Sequence, residues 1–156
     1  MNPPRHYHVS LGVFGTTNPG TMAIAMVTRL GGAPHEDVWS RVLPRTWSAF
    51  HAGARLLAEA LRRVDRPDDA VRICLRDLAL VQAVATARAA HAPAFLRPHE
   101  DPSSKDALLR EIAARLHARP NTSLEWRGHA SQDPDVAHAC EIARLALASA
   151  TRATSR

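Results

Sequence analysis

Cysteines are nearly absent from this 156-residue chain, which has only Cys74 and Cys140 and no Cys-x-x-Cys spacing. This predicts no disulfide framework and suits a reducing compartment. Long apolar runs are also missing, since no stretch approaches the roughly 20 residues that a membrane-spanning helix needs. The first seven residues are polar and carry no apolar signal core. We therefore expect a soluble, cytoplasmic protein with no membrane partner.

Aromatic residues (4%) and lysine are scarce as well, and Lys105 is the one lysine. The net charge of +5 therefore rests on arginine. Abundant arginine and alanine match the bias of a GC-rich genome, so the arginine count says little about function. The charge favours polyanionic partners without being a nucleic-acid footprint by itself. The length and the apolar fraction predict one globular domain over residues 1–156, with an ordered core from about residue 6 to residue 150.

Five segments carry the patterns of β-strands. Residues 6–14 alternate in polarity, and turn signals at residues 18–20 and 31–34 separate them from two further apolar segments. The first three strands are therefore predicted to form an antiparallel meander. The predicted strands span residues 6–14, 22–30, 37–43, 71–75 and 123–127.

Four segments carry helical patterns. The first begins near Thr46 or Ser48 and extends to about Val64. The next two span residues 78–91 and 104–118, and Ser103 with Asp106 predicts a capping box for the second of these. The last runs from Pro134 or Asp135 to about Ala150, with a frayed tail. The order βββ-α-β-α-α-β-α predicts an α/β fold, with a five-stranded mixed sheet flanked by helices.

Three local motifs occur in this order. Asn18-Pro19-Gly20 follows the first strand, and Asp77 follows the fourth strand at the start of a helix. Residues 124–129, Leu-Glu-Trp-Arg-Gly-His, lead through a loop into residues 136–144, Val-Ala-His-Ala-Cys-Glu-Ile-Ala-Arg. In order and motifs the chain resembles type 1 ribonuclease H over nearly its whole length, and the C-terminal motif is the most specific part.

The resemblance implies hydrolysis of the RNA strand of an RNA–DNA hybrid by two Mg²⁺ ions. In the family four carboxylates hold these ions, because hard cations prefer charged oxygen ligands. The matching positions here are Gly12, Phe50, Asp77 and Cys140, so one of the four carboxylates is retained. The chain is thus similar to a degenerate member of the family.

The loss of carboxylates does not depend on a fine alignment. No acidic residue precedes Glu36, so the first strand cannot supply one in any register. Glu59 lies nine positions after Phe50, which is more than about 13 Å along a helix axis. Glu141 adjoins Cys140, but one residue turns the side chain by about 100° around the helix. We therefore expect no catalytic residues, no cofactor and at most weak metal binding at Asp77, with Mg²⁺ or Mn²⁺ required if any activity is left.

Several residues stay open to two interpretations. Asp77 is either a helix N-cap or a residual metal ligand. His129 matches a histidine that assists product release in some family members, but a surface Gly-His turn is equally ordinary. Cys140 is interpreted as a small buried hydrophobe. A new site from His129, His138 and Cys140 lacks zinc spacing. The tryptophans, Trp39, Trp47 and Trp126, suit base stacking or ordinary sheet packing.

Three functions follow from these expectations. In the first, the protein binds RNA–DNA hybrid or other duplex nucleic acid without cutting it, through backbone contacts from Asn18, Arg45, Thr46 and Arg127. In the second, the fold is a protein-interaction or structural module. In the third, it is a hybrid endoribonuclease with an altered metal site, in which Asp77, His129 and Glu141 are the residual candidates. The first function further predicts that Gly12→Asp, Phe50→Glu and Cys140→Asp together restore Mg²⁺ affinity.

Overall fold

One mixed five-stranded sheet organises this computed structural model. The structure describes residues 3–15, 21–43, 48–64, 66–90, 99–128 and 133–154. The strands are β1 (His6–Gly15), β2 (Met22–Leu30), β3 (Glu36–Leu43), β4 (Ala70–Leu75) and β5 (Thr122–Trp126). All five lie within one or two residues of the segments predicted from polarity alternation.

The sheet order is β3-β2-β1-β4-β5, with β1 at the centre. β1 pairs antiparallel with β2, and β2 pairs antiparallel with β3, which confirms the predicted meander. β4 pairs parallel with β1 and with β5. The carboxyl ends of β1, β4 and β5 therefore share one edge of the sheet, and residues that follow these strands come together there. The predicted fold class, a mixed sheet flanked by helices, is confirmed.

Each helix begins at a capping side chain. The helices are α1 (Ala49–Arg62), α2 (Leu78–Ala89), α3 (Lys105–His117) and α4 (Pro134–Thr154). Ser48 Oγ accepts from the His51 amide at the start of α1, and Asp133 Oδ1 accepts from the Val136 amide at the start of α4. These bonds satisfy amides that have no partner within the helix.

Two helix boundaries differ from the prediction. The cap of α3 is Ser104, whose Oγ accepts from the Ala107 amide, so the predicted Ser103–Asp106 capping box is wrong. Ser103 instead donates to Asp101, which forms a turn before the helix. Helix α4 continues to Thr154, four residues beyond the expected end. Its last turns are rich in alanine, the strongest helix former, which accounts for the extension.

The two faces of the sheet are packed differently. Helix α1 covers one face with large side chains such as Leu56, Leu57 and Leu61, all fully buried. The other face meets α4 through small residues, chiefly Ala23, Ala25 and Ala143. Small side chains let a helix backbone approach a sheet closely. The residues that α4 presents to β1 are therefore held close to the strand.

None of the helices described here is both long and apolar enough to cross a lipid bilayer.

Candidate functional site

A cleft of about 550 Å³ opens where the carboxyl ends of β1, β4 and β5 meet the start of α1 and α2. Its surface is mostly apolar, and its polar groups are few. The described lining residues with a charge, a thiol or an indole are Arg76, Asp77, Trp126 and Cys140. A mostly apolar cleft with a few converging polar groups is the usual form of a ligand site.

The positions that match the family's metal ligands gather around this cleft. Asp77 and Cys140 both line it. Gly12 lies against α4 at Ala139 and Cys140. Phe50 is half-buried and packs against the apolar core. In sequence it lies between Ala49 and Gly53, and these two residues line the cleft. The fold therefore places these distant sequence positions in one region, as the resemblance requires.

The Asp77 carboxylate caps helix α2. Its Oδ1 accepts a hydrogen bond of 3.0 Å from the Leu80 amide, and the residue has the extended backbone of an N-cap. The N-cap interpretation is therefore correct. The side chain is half-buried and still borders the cleft. This carboxylate has a structural role whether or not it meets a cation.

Arg76 is absent from the residues predicted above, yet among the described residues that line the cleft it is the one with a positive charge. Its Nη1 lies 3.7 Å from Cys140 Sγ, and its carbonyl accepts from Trp126 Nε1 at 3.0 Å. Arg76 directly follows β4, and its side chain reaches Cys140 on α4. Cys140 is half-buried at the cleft, so the expectation of a small buried hydrophobe is wrong.

Gly12 has no room for a side chain. An ideal Cβ at this position would lie 2.3 Å from the carbonyl carbon of Ala139 and 2.3 Å from the amide nitrogen of Cys140. These are backbone atoms of α4, and a shift of the whole helix would be needed to relieve the clash. This close contact argues against the expectation that Gly12→Asp helps to rebuild a metal site, because α4 occupies the space where the carboxylate would lie.

The other predicted site residues lie outside the cleft or outside the described part of the chain. Glu141 is exposed and pairs with Arg144, and its pKa lies below its ordinary value because Arg144 donates to it. Arg127 Nη2 lies 2.6 Å from Glu125, and its Nε lies 3.3 Å from Asp133 without hydrogen-bond geometry. This guanidinium ties β5 to α4. The predicted residues Asn18, Arg45, Thr46 and His129 lie outside the described residues.

The tryptophans differ in their surroundings. Trp39 is half-buried, and the guanidinium of Arg63 lies 5.1 Å from its ring centroid, which fits ordinary packing. Trp126 is 49% exposed at the cleft. Trp47 lies outside the described residues. One of the three predicted stacking candidates therefore presents its ring at the site.

A second polar cluster lies beneath α4 and does not open into the cleft. Cys74 is fully buried, and its Sγ lies 3.4 Å from His8 Nε2. Burial raises the pKa of the Cys74 thiol, although a hydrogen bond with Arg127 opposes this. His138 Nε2 lies 2.9 Å from Glu36 Oε1, at the start of β3. This cluster anchors the start of α4 to the sheet.

Comparison with known proteins decides the fold. No protein-family profile and no curated protein sequence matches the chain. Among solved structures it is similar to the prototype foamy virus protease-reverse transcriptase, with a TM-score of 0.65 and 13% identity over 93% of this chain and 21% of that one. A foamy viral protease-reverse transcriptase also matches, in structures with dsDNA and with an RNA/DNA hybrid.

Two further matches cover most of the length of the matched chains. The N-terminal RNase H domain of a Mycobacterium tuberculosis protein gives a TM-score of 0.60 at 13% identity, over 92% of this chain and 99% of that one. RNase H1 of Halobacterium salinarum gives 0.60 at 16% identity, over 85% and 92%. This chain has a ribonuclease-H-like fold. It spans about a fifth of the complete viral protein.

The described residues do not fit the pair of Mg²⁺ ions that a ribonuclease-H-like site implies. No group of three or more His, Cys, Asp or Glu side chains within the described ranges could hold a metal ion. At the cleft, Asp77 stands beside a guanidinium and a thiol, and neither is a ligand that Mg²⁺ prefers. The close approach of α4 to Gly12 closes a further ligand position.

Proposed function

We propose that this ribonuclease-H-like protein binds RNA–DNA hybrid or other duplex nucleic acid through the phosphate backbone, at the edge where β1, β4 and β5 end, and does not hydrolyse it. The observation that carries this proposal is the position of Arg76. Its guanidinium lies at the same edge of the sheet as Asp77 and contacts the sulfur of Cys140. Among the described residues, no carboxylate forms an ion pair with this guanidinium. A phosphate is the natural partner of such a guanidinium.

The comparisons support a nucleic-acid ligand. The foamy virus protein to which the chain is similar has structures with an RNA/DNA hybrid and with dsDNA. The chain matches that protein at 14% identity and covers 20% of the hybrid-bound form, so the ligand is carried over here as a proposal.

Hydrolysis is not part of the proposal, because two cations about 4 Å apart need several shared carboxylates. Asp77 is the one carboxylate among the described residues that line the cleft, and it already accepts the Leu80 amide. The positive charge next to Asp77 comes from the guanidinium of Arg76 and not from a metal ion. Binding a phosphate in this site therefore requires no metal.

A second function, a protein-interaction module, is favoured by the way the arginines are paired. Nine described arginines form ion pairs with carboxylates, which lowers the positive charge that is free to meet a polyanion. They are Arg29, Arg62, Arg63, Arg66, Arg72, Arg110, Arg115, Arg127 and Arg144. A module of this kind would bind an RNA–DNA hybrid weakly and without dependence on Arg76.

Fluorescence anisotropy with a labelled RNA–DNA hybrid, at several salt concentrations, separates these functions. We expect Arg76→Ala to weaken binding and to reduce the slope of log affinity against log salt by about 1, as for the loss of one phosphate contact. Arg88→Ala is the charge-matched control, because Arg88 is exposed near the far end of α2, ten residues and about 15 Å along the axis from Leu78, where the helix begins at the cleft.

Asp77→Asn provides an opposite test at the same cleft. Asparagine caps a helix as well as aspartate does, so the fold is preserved while the negative charge is removed. We expect tighter binding of the hybrid, because a repulsive charge beside the phosphate is lost. Equal affinities for the parent, Arg76→Ala and Asp77→Asn would place any binding elsewhere and favour the interaction module.

A further inference from the structure

We propose that Trp126 and Arg76 form a subsite for one unpaired nucleotide, in which the indole stacks on the base and the guanidinium binds the adjoining phosphate. This inference rests on the proposed function and deepens it, since it names the form of nucleic acid that the cleft takes. Four observations support it: an exposed indole, its fixed position, an available guanidinium and a cleft of suitable size.

Half of the exposed large apolar side chains that the structure describes lie at this cleft. Among the described residues four large apolar side chains are exposed, and two of them, Trp126 at 49% and Leu78 at 43%, line the cleft. The other two, Val38 and Leu145, do not line it. Two exposed apolar side chains that border one cleft give a ligand apolar surface to cover.

The indole of Trp126 is held in place rather than free to rotate. Its Nε1 donates to the Arg76 carbonyl at 3.0 Å, and Trp126 is paired with Leu75 in the parallel ladder between β5 and β4. The polar edge of the ring is therefore satisfied, and the exposed part is the apolar ring. A fixed ring binds a base with a smaller loss of conformational entropy than a mobile one.

The guanidinium of Arg76 is positioned from the other side. Its Nη1 lies 3.7 Å from Cys140 Sγ, which directs the side chain along α4 toward the cleft. A guanidinium has five N–H donors, so most of them are left for phosphate oxygens. The backbone carbonyl of Arg76 thus holds the indole of Trp126 in place, while the side chain of Arg76 supplies the phosphate contact.

These two contacts select an unpaired nucleotide. Within a duplex both faces of a base are covered by its neighbours, so an indole can stack only on a base that is unpaired or terminal. Base–aromatic stacking is the usual means by which proteins hold single-stranded segments. The cleft volume of about 550 Å³ lies within the range of small-molecule sites and is sufficient for one nucleotide.

The test compares three labelled hybrids of the same duplex sequence. One is blunt, one carries a short 3′ DNA overhang, and one carries an abasic overhang of equal length and equal phosphate number. We expect the parent protein to bind the base-bearing overhang about five- to a hundredfold tighter than the abasic one. Trp126→Ala should abolish this preference, while Trp126→Phe retains most of it. Leu145→Ala, at an equally exposed apolar position, should leave it unchanged.

The outcomes separate this inference from the proposed function. Equal, measurable affinity of the parent for all three hybrids would overturn the subsite and leave duplex binding in place. Failure to bind any of them would overturn both. If Trp126→Ala does not fold, as circular dichroism would show, the comparison of base-bearing with abasic overhangs in the parent and in Trp126→Phe still decides the matter.

Discussion

Gly12→Ala tests the close contact between β1 and α4. This contact distinguishes the cleft from a two-metal site, because it leaves no room for a carboxylate at position 12. The added methyl would lie 2.3 Å from two backbone atoms of α4, well inside van der Waals contact. Backbone atoms cannot rotate away, so the helix must shift from a face packed with alanines. Overpacking of this kind costs about 1–3 kcal/mol. We therefore expect a loss of about 2 kcal/mol in the free energy of unfolding.

Urea unfolding followed by circular dichroism measures this loss as a lower midpoint at an unchanged slope. Gly31→Ala is the matched control, because a Cβ there would lie 3.4 Å from the nearest atom, the His6 carbonyl oxygen. We expect that variant to remain within about 0.5 kcal/mol of the parent. Gly12→Asp should lose more than Gly12→Ala, without recovery in Mg²⁺. Parental stability of Gly12→Ala, or restoration of Gly12→Asp by Mg²⁺, would refute the reasoning.

Three further predictions concern single groups. Asp77→Ala should lower the free energy of unfolding by about 1 kcal/mol through loss of the α2 cap, while Asp77→Asn stays close to the parent in urea unfolding. Burial raises the pKa of Glu111, but hydrogen bonds led by that from Arg62 outweigh it and hold the pKa below the ordinary 4.5. The ionised Glu111 carboxylate therefore contributes its full stabilisation above pH 4.5, and this contribution is lost as the pH falls through the lowered pKa. Arg62→Gln should make the stability of the protein less dependent on pH, as measured by urea midpoints from pH 7 to pH 3. Iodoacetamide should label Cys140 well before Cys74, which is buried and has a raised pKa; equal labelling by mass spectrometry would contradict the described packing.

The fold could be predicted from the sequence because each element has a strong local pattern. The alternation of β1 and the apolar run of β2 set strands that the structure places at almost the same residues. The pattern does not distinguish between the adjacent Ser103 and Ser104, since both are good caps; in the structure Ser103 bonds to Asp101 and Ser104 caps the helix. The end of α4 is difficult to place for another reason, since its alanine-rich last turns continue the helix and no stop signal marks its end.

The candidate site could be predicted only in part. Asp77 and Cys140 line one cleft, and the resemblance to ribonuclease H identifies both positions from the sequence. The distance between Gly12 and α4 has no signature in the sequence, because it depends on small side chains that β2 and α4 contribute together. Arg76 is difficult to recognise for a related reason. It is one arginine among many, and its contact with Cys140 joins residues 64 positions apart.

Incubation of the protein with a hybrid whose RNA strand is labelled, in Mg²⁺ or Mn²⁺ and at a concentration that saturates binding, tests the central claim most directly. Anisotropy reports the bound fraction, and a denaturing gel of the same sample reports the length of the RNA. We predict that the hybrid is bound and the RNA is intact, because Asp77 alone cannot position two cations. RNA cleavage by the parent that disappears in Asp77→Ala would contradict this prediction and show a hybrid nuclease with an altered metal site.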